Sequence, residues 1–344
     1  MKGIDASSRW ISNTVKPCKS ISYALVALED ARNRNETEFT FLLEDHIYLL
    51  EKRIKIEQNS ALRRVYLTSS NSTGRSVIRC VNKTAGIEIG TKGNKLQKTR
   101  NIYFQNFDFQ NCGPRFAAAV LIWNSVDINF TNCVFSHNTQ AGINAFDSGV
   151  TIESCRFVNN TSNGQQNSTE DYKEGVTSAG GGAGFLYHGA SKLSLVIRDS
   201  IFESNAAVTN ESTDFIAPSS NVTHFTTGGG GLMVVFREKA ENCQVLIDNS
   251  VFLNNTATYG GGIYFANTNI AIRNNYTVTN SNFTGNYAGQ TGGGLIFSQW
   301  DNASKITTIF KNCIVNENKS KRGAGINVFL MNFDLTPNDS VLRY

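Results

Sequence analysis

Three charged residues occupy equivalent places in an internal repeat, and their types and spacing could support acid–base chemistry. They are Glu153, Arg198 and Asp248. If the repeats stack as successive coils, the two carboxylates stand two coil spacings apart, about 9 to 10 Å. This is at the edge of the separation at which two carboxyl groups hydrolyse a glycosidic bond with inversion. An arginine between two acids is also typical of a cross-strand ion-pair ladder, so the sequence leaves both interpretations open.

Other candidate acid–base residues lie in or beside two long interruptions of the repeat. They are His188, His224, Asp171, Glu174 and Asp214, and no spacing among them demands a catalytic role. The Gly triplets of the chain lack the lysine and the strand-to-helix context of a phosphate-binding loop. No Cys/His spacing is typical of a metal site, and we expect no cofactor.

The repeat that would position these residues occurs six times. Each copy has a small anchor residue, then Phe (once Val) two residues later and Asn five residues later. The anchors are Cys133, Cys155, Ser200, Ser250, Ser281 and Cys313. The Phe residues are Phe135, Phe157, Phe202, Phe252 and Phe283, and the Asn residues are Asn138, Asn160, Asn205, Asn255, Asn286 and Asn318.

The residues before each anchor show the alternation of a half-buried strand. The side chain three residues before the anchor is always apolar, and the next one is always polar. Strands this short cannot bury an apolar face alone, whereas stacking them about 4.8 Å apart makes a parallel sheet with a continuous core. We therefore predict a parallel β-helix in which Phe residues stack inward, Asn residues form a hydrogen-bonded ladder, and Gly triplets turn the next corner.

The motif F-x-x-N followed by G-G-x-[IL] resembles the repeats of chlamydial polymorphic membrane proteins. It is also similar to right-handed, pectin-lyase-like β-helices in extracellular proteins and receptor ectodomains of simple animals. The matching segments, which lie roughly within residues 101–330, are the five Phe-to-Asn tetrapeptides above and Gly260–Ile263, Gly292–Leu295 and Gly323–Ile326. The resemblance implies an all-β fold, a right-handed parallel β-helix or solenoid. Because many pectin-lyase-like proteins are polysaccharide lyases or hydrolases, it also implies an enzymatic alternative.

We expect one continuous domain in two parts. Residues 1–100 would form an N-terminal cap and the first coils, and residues 101–344 the repeat-bearing β-helix. The segment 18–33 reads as a capping helix with Ile21, Leu25 and Leu28 on one face. Residues 331–344 look like the start of another coil, so we expect the C-terminal cap to be missing.

Seven cysteines are too few for a disulfide scaffold. Cys133 and Cys155 occupy the anchor position on successive coils, where buried thiols would serve as small core residues. Cys18 and Cys80 lie outside the repeat, and we predict a disulfide between them that closes the cap.

The chain contains fifteen Asn-x-Ser/Thr sequons, which favours a glycosylated extracellular or cell-surface protein. The glycosylation sites that we expect are Asn35, Asn71, Asn82, Asn167, Asn210, Asn221 and Asn302. The alternative is that Asn-rich turns followed by Thr-rich strands create sequons by accident. A net charge of +4 without a basic patch argues against nucleic-acid binding, and no apolar run is long enough for a membrane span.

The two interruptions follow the Asn corner and precede the Gly corner, so they should project side by side from adjacent coils. Such insertions often form the binding surface of a solenoid, with Tyr172, Phe215 and His224 as candidate contacts here. After the Gly corner, outward positions read Leu186, Met233, Tyr264 and Ile296, an apolar stripe that is either an exposed contact face or covered by Phe215, Ile216 and Phe225.

We therefore predict a non-catalytic extracellular recognition or adhesion module that binds a glycan or a protein through the insertions and an outer strand face. The alternative is a lyase or hydrolase that acts on acidic polysaccharide through Glu153, Arg198 and Asp248.

Overall fold

The computed structural model describes most of the chain from residue 38 onwards. The described residues are 38–43, 47–57, 64–69, 74–81, 86–93, 98–113, 118–162, 180–208, 228–300, 302–330 and 341–343. All strand pairs in this part are parallel, and it contains no α-helix. The predicted capping helix at 18–33 lies outside the described residues.

The strands stack into four sheets, which we name A to D. Sheet A contains Glu38–Leu43, Arg64–Ser69, Thr99–Gln105, Ser125–Thr131, Val150–Glu153, Ser194–Arg198, Gln244–Asp248, Asn275–Thr279, Thr307–Lys311 and Val341–Arg343. Sheet B contains Ile47–Leu50, Ser76–Cys80, Phe107–Gln110, Val134–Ser136, Arg156–Val158, Ile201–Glu203, Val251–Leu253, Asn282–Thr284 and Ile314–Asn316.

Sheet C contains Ile54–Ile56, Ile87–Ile89, Val120–Trp123, Ile143–Phe146, Ala183–His188, Leu232–Arg237, Ile263–Asn267, Leu295–Gln299 and Ile326–Leu330. The short sheet D, between sheets B and C, contains Thr161–Ser162, Ala206–Ala207, Thr256–Tyr259, Tyr287–Thr291 and Lys319–Arg322. We number the coils by their sheet A strands, so that coil 5 begins at Val150, coil 6 at Ser194 and coil 7 at Gln244. The chain visits the sheets in the same order in every coil, which confirms the predicted parallel β-helix.

A stack of phenyl rings runs through the core beneath sheet B. Phe109, Phe135, Phe157, Phe202, Phe252 and Phe283 lie face to face, with successive centroids 4.9, 4.7, 4.5, 4.8 and 5.0 Å apart. All of these rings are buried. Because the strands are in register, each ring rests on the ring of the previous coil, and the stack extends the apolar core without a gap.

Buried asparagines form a ladder at the corner after sheet B. The Asn160 Nδ2 donates to Asn205 Oδ1 (2.9 Å) and to the carbonyl of Phe135 (2.8 Å), and the Asn160 backbone N–H donates to the same Oδ1 (3.0 Å). The same bonds recur from Asn138 to Asn318. Each carboxamide therefore satisfies the backbone groups that the corner would otherwise leave unpaired inside the protein.

The anchor residues form a second ladder on the other side of sheet B. The backbone N–H of Cys155 donates to Ser200 Oγ (3.1 Å), that of Ser200 to Ser250 Oγ (3.3 Å), and that of Ser250 to Ser281 Oγ (3.1 Å). The backbone N–H of Cys133 donates to the sulfur of Cys155 (3.4 Å). A small side chain with an acceptor atom is what this position requires, which explains why only Ser and Cys occur there.

Residues beside these ladders turn the corners in the left-handed backbone region. Asn249, Asn254 and Asn280 have φ values of 45°, 53° and 51°, and Asn tolerates this region better than most residues. The corners thus account for much of the Asn content of the chain. They also supply sequons, such as that of Asn254.

The predicted Cys18–Cys80 disulfide is wrong, because Cys80 is bonded to Cys112. Cys80 ends a sheet B strand, and Cys112 stands one coil later with its Cα 4.9 Å away. Cys112 takes the place of an asparagine at the start of the ladder, and its backbone N–H donates to Asn138 Oδ1 (2.9 Å). The bond therefore joins two neighbouring coils.

Candidate binding surfaces

The outer face of sheet A carries the three charged residues of the enzymatic alternative. Glu153, Arg198 and Asp248 are register partners on coils 5, 6 and 7, and all three reach solvent. Within the described part of the chain, Arg198 forms no ion pair with either carboxylate. The column is therefore not a closed ladder of salt bridges.

Asp248 is held by neutral donors from the next coil. Thr279 Oγ1 and Asn280 Nδ2 donate to its Oδ1 at 2.6 and 2.8 Å. These hydrogen bonds, that from Thr279 first, lower the pKa of the Asp248 carboxyl below its ordinary value. An ionised Asp248 could accept a proton, whereas it is poorly suited to donate one.

Outward side chains of sheet A on coils 2 to 9 form columns along the axis, and the two columns that concern the candidate site are exposed or half-exposed. The central column is Tyr66, Tyr103, Asn129, Thr151, Val196, Leu246, Thr277 and Ile309. On one side of it runs the column Thr68, Gln105, Thr131, Glu153, Arg198, Asp248, Thr279 and Lys311. The face is thus partly apolar along its centre and polar beside it.

Two tyrosines of the central column form a stacked pair that the sequence analysis missed. The rings of Tyr66 and Tyr103 lie 4.7 Å apart with an interplanar angle of 16°. Partial burial is the main cause that raises the pKa of the Tyr103 hydroxyl, which stays protonated at neutral pH. The strand alternation of the segments RRVYLTSS and RNIYFQN, which places both tyrosines outward, was the signal available in the sequence.

The ends of the two insertions lie side by side between sheets D and C. Thr161–Ser162 pairs with Ala206–Ala207 where the two segments leave the coils. Where they return, the backbone N–H of Gly181 donates to Gly229 O, and that of Gly182 to Gly230 O, both at 3.0 Å. The candidate contacts Tyr172, Phe215 and His224 lie outside the described residues.

Of the two alternatives for the apolar stripe on sheet C, the exposed contact face does not agree with the structure. Met233, Tyr264 and Ile296 are 3%, 6% and 1% exposed and pack together in a small cluster with Val235. Leu186 is half-buried and contacts this cluster. It does not belong to the same column as Met233, because Gly184 is the register partner of Met233 and Leu186 pairs with Val235. A partner could contact these four residues only if the outer face of sheet C became exposed, so their role in binding stays a prediction.

His188 lies at the C-terminal end of a sheet C strand, among charged neighbours. Its backbone N–H donates to Asp147 Oδ1 (2.5 Å), and its Nε2 is 3.8 Å from Glu238 Oε1. Asp147 thereby binds the end of the strand Ala183–His188, which extends beyond the end of its neighbour Ile143–Phe146. No group of His, Cys, Asp and Glu among the described residues could hold a metal ion.

The sequons differ in accessibility. Asn302 is exposed, whereas Asn160 is buried in the ladder. The other expected sites, Asn35, Asn71, Asn82, Asn167, Asn210 and Asn221, lie outside the described residues. In the part of the chain that the structure covers, no helix could cross a bilayer.

Solved structures similar to this chain include proteins of several kinds. ORF18 of Geobacillus virus E2 has a TM-score of 0.42 and 10% identity, over 90% of this chain and 58% of that protein. PfbA, a surface adhesin of Streptococcus pneumoniae, has a TM-score of 0.34 and 9% identity, over 89% and 88%. The catalytic domain of a GH87 alpha-1,3-glucanase in complex with nigerose has a TM-score of 0.26 and 13% identity, over 94% and 68%. Likenesses this distant carry no inference about ligand or activity.

No curated protein matches the sequence. The family model described as "Right handed beta helix region" matches residues 11–223, more than half of the chain. The ladders, the in-register phenyl stack and this match lead to one conclusion: the chain belongs to the right-handed β-helix family.

Proposed function

We propose that this chain is a non-catalytic extracellular recognition or adhesion module that binds a glycan or protein partner through the insertions 163–179 and 209–227. The observation that carries the proposal is the pairing of their ends, Thr161–Ser162 against Ala206–Ala207. Two adjacent insertions on a rigid solenoid offer one combined surface, as loops on repeat scaffolds commonly do.

The chain itself supplies a template for removing an insertion. Ala207 pairs with Ala257, and Gly228 forms a bridge with Tyr259, so coil 7 connects the same points with no insertion. Deleting residues 209–227 joins Val208 to Gly228 in the way that Thr258 joins Tyr259. In coil 5, deleting 164–178 leaves a connection of the same length.

The experiment compares the wild type with the two deletion variants on a glycan array and on a panel of extracellular-matrix proteins. We expect at least one ligand to bind the wild type and to lose most of its affinity for either variant, with unfolding curves unchanged. The proposed contact surface would be contradicted if every ligand of the wild type bound both deletion variants equally well, so that no ligand depended on the insertions.

A polysaccharide lyase or hydrolase is the second candidate function. It is favoured by the open column of Glu153, Arg198 and Asp248, in which Arg198 is not bound to either acid. Assays for new reducing ends and unsaturated products on acidic polysaccharides, with Glu153→Ala and Asp248→Ala as variants, test this candidate. Product that the wild type releases and both variants fail to release would establish it.

An extracellular or cell-surface location is part of the proposal and is supported by the number of sequons. Asn302, at an exposed corner, is the described site that we expect to carry a glycan. Peptide mass mapping of the protein secreted from eukaryotic cells, before and after removal of N-glycans, tests this expectation. An unmodified Asn302 would argue against it.

A further inference from the structure

Cys133 and Cys155, which we name the anchor thiols, are neighbours inside the solenoid. Because the flanking strands of sheets A and B pair in register, the two residues occupy the same place on coils 4 and 5. Both are buried, and both are thiols in this structure. The backbone N–H of Cys133 donates to the sulfur of Cys155 at 3.4 Å, so the sulfur of one residue lies against the backbone of the other.

The spacing of the coils is suitable for a disulfide between residues in register. Neighbouring coils place equivalent Cα atoms about 4.8 Å apart, inside the range of about 4.4 to 6.8 Å that a disulfide spans. The chain already contains a bond of this kind, since Cys80 and Cys112 are joined across neighbouring coils with a Cα–Cα distance of 4.9 Å. A second bond between coils 4 and 5 therefore needs no change of backbone spacing.

The two side chains point in the same direction along the axis. The sulfur of Cys155 lies 3.4 Å from the carbonyl oxygen of Phe130 in coil 4, and that of Cys133 lies 3.6 Å from the carbonyl oxygen of Phe104 in coil 3. The Cys155 sulfur is thus already directed towards coil 4. A change of the Cys133 side chain to another staggered rotamer turns its sulfur towards coil 5.

The other free cysteines of the described residues lack a thiol neighbour in register. Cys243 lies between Leu193 of the preceding coil and Asn274 of the following one. Cys313 follows Ser281 at the anchor position. Within the described part of the chain, the anchor thiols are thus the one pair of free thiols that the register brings together.

Burial decides when the anchor thiols can react. It is the main cause that raises the pKa of the Cys133 thiol well above its ordinary value. Since the thiolate is the form that attacks a disulfide, a buried thiol with a raised pKa is unreactive in the folded protein. In the unfolded chain the same thiol is exposed to solvent, so oxidation belongs to the folding stage.

We propose that Cys133 and Cys155 are a second cross-linking site, oxidised to a disulfide while the chain folds in the presence of a small disulfide such as oxidised glutathione. The S–S bond between the two residues forms as the S–S bond of glutathione breaks. The protein gives up two electrons and two protons, and glutathione leaves as two thiols. The new bond ties coil 5, from which the insertion 163–179 leaves, to coil 4, and it does not depend on the function proposed for the insertions.

The test refolds the full chain from denaturant, either in a mixture of oxidised and reduced glutathione or in reductant alone. Free thiols are then alkylated in denaturant, and the protein is digested without reduction for mass spectrometry. We expect peptides linked through Cys133 and Cys155 after oxidative refolding. Protein that has first folded in reductant and then receives the same glutathione mixture should not form the bond.

Thermal unfolding of variants gives a second readout. Cys155→Ser keeps the acceptor of the anchor ladder, because Ser occupies this position in coils 6 to 8, and Cys243→Ser is the control. For each protein we compare the unfolding temperature after oxidative and after reductive refolding. The rise should be about 4 °C smaller in Cys155→Ser than in the wild type, and unchanged in Cys243→Ser, because the disulfide restricts the unfolded chain.

Three results would overturn the inference: no linked peptides after oxidative refolding, a bond from either anchor thiol to a different cysteine, or an equal rise in Cys155→Ser and the wild type. Formation of the bond in protein that is already folded would overturn its assignment to the folding stage.

Discussion

The carboxamide of Asn205 forms hydrogen bonds with backbone groups at the corner after sheet B and with a neighbouring Asn side chain. It accepts from the backbone N–H and the Nδ2 of Asn160, and its own Nδ2 donates to the carbonyl of Phe157 (2.8 Å). Because the residue is buried, no water replaces these partners when the side chain is removed. Because the Asn205 Nδ2 also donates to Asn255 Oδ1 in the next coil (3.0 Å), this one residue links three successive coils.

We predict that Asn205→Ala lowers the free energy of unfolding by about 3 kcal/mol, since it leaves several buried groups unpaired. Equilibrium urea unfolding followed by circular dichroism measures the change. Asn275→Ala, at an exposed strand position, is the matched control and should shift stability by less than about 0.5 kcal/mol. Equal effects of the two substitutions would contradict the role of the ladder.

Asp248 gives a prediction for pH dependence. Its folded pKa is lowered, so its contribution to stability is present above the unfolded pKa, about 3.9, and is lost as the pH falls through the folded value. Thr279→Val removes the shortest hydrogen bond to this carboxylate, so the variant should lose less stability over that acidic range than the wild type. Thr277→Val, on the same strand, is the control. If the stability of the two variants depended on pH in the same way, the role assigned to the hydrogen bond from Thr279 to Asp248 would be refuted.

The sequence predicted some of these residue roles and missed others for physical reasons. Asn at a fixed place in six repeats predicted the ladder, because identical side chains in register must meet. The Cys80–Cys112 bond was missed because Cys80 was paired with Cys18 on the ground that both lie outside the repeat. The hydrogen bonds of the anchor residues were missed because a small buried side chain was taken as packing alone.

The Gly triplets allow the backbones of neighbouring coils to come close to each other at the corner before sheet C. A Cβ atom added to Gly261 would come within 2.6 Å of the Tyr287 carbonyl oxygen and closer still to that of Gly293. Both obstacles are backbone atoms, which cannot rotate away. Gly261 is therefore required for its size, whereas Gly260, the first residue of the same triplet, has a φ of 62° and is required for its conformational freedom as well.

We expect Gly261→Ala to destabilise the protein by about 3 kcal/mol or to prevent folding, because the clash forces two coils apart. Gly289→Ala is the control, since its new Cβ would meet no atom closer than 3.9 Å. Thermal unfolding of both variants, beside the wild type, makes the comparison. A Gly261→Ala protein as stable as the control would show that the corner can relax.

The positions of the strands could be predicted from the sequence, whereas the burial or exposure of their outward side chains could not. Alternation identifies which residues point inward, and sheets A and B agree with it. It does not tell whether an outward residue meets water or another part of the chain. Met233 and Tyr264 read as outward and are buried, while Tyr66 and Tyr103 read as outward and form a solvent-facing stack.

At the scale of the whole molecule, the β-helix is a rigid rod that presents different surfaces on different sides. The coils before residue 100 and those after it contribute strands to the same three sheets, so the core runs through both parts. The outer face of sheet A is exposed to solvent and partly polar, whereas the outer face of sheet C is largely buried. The insertions leave the coils between sheets D and C. Such an arrangement suits display of binding surfaces.

In the function proposed above, the β-helix binds its ligand and does not turn it over. The most direct measurement follows binding and product release together, in one wild-type sample, on neutral and acidic glycans. We expect the protein to retain a glycan with no new reducing ends and no unsaturated product over the time of the binding measurement. Catalytic release of product that Glu153→Ala abolishes would contradict it and make the sheet A column an active site.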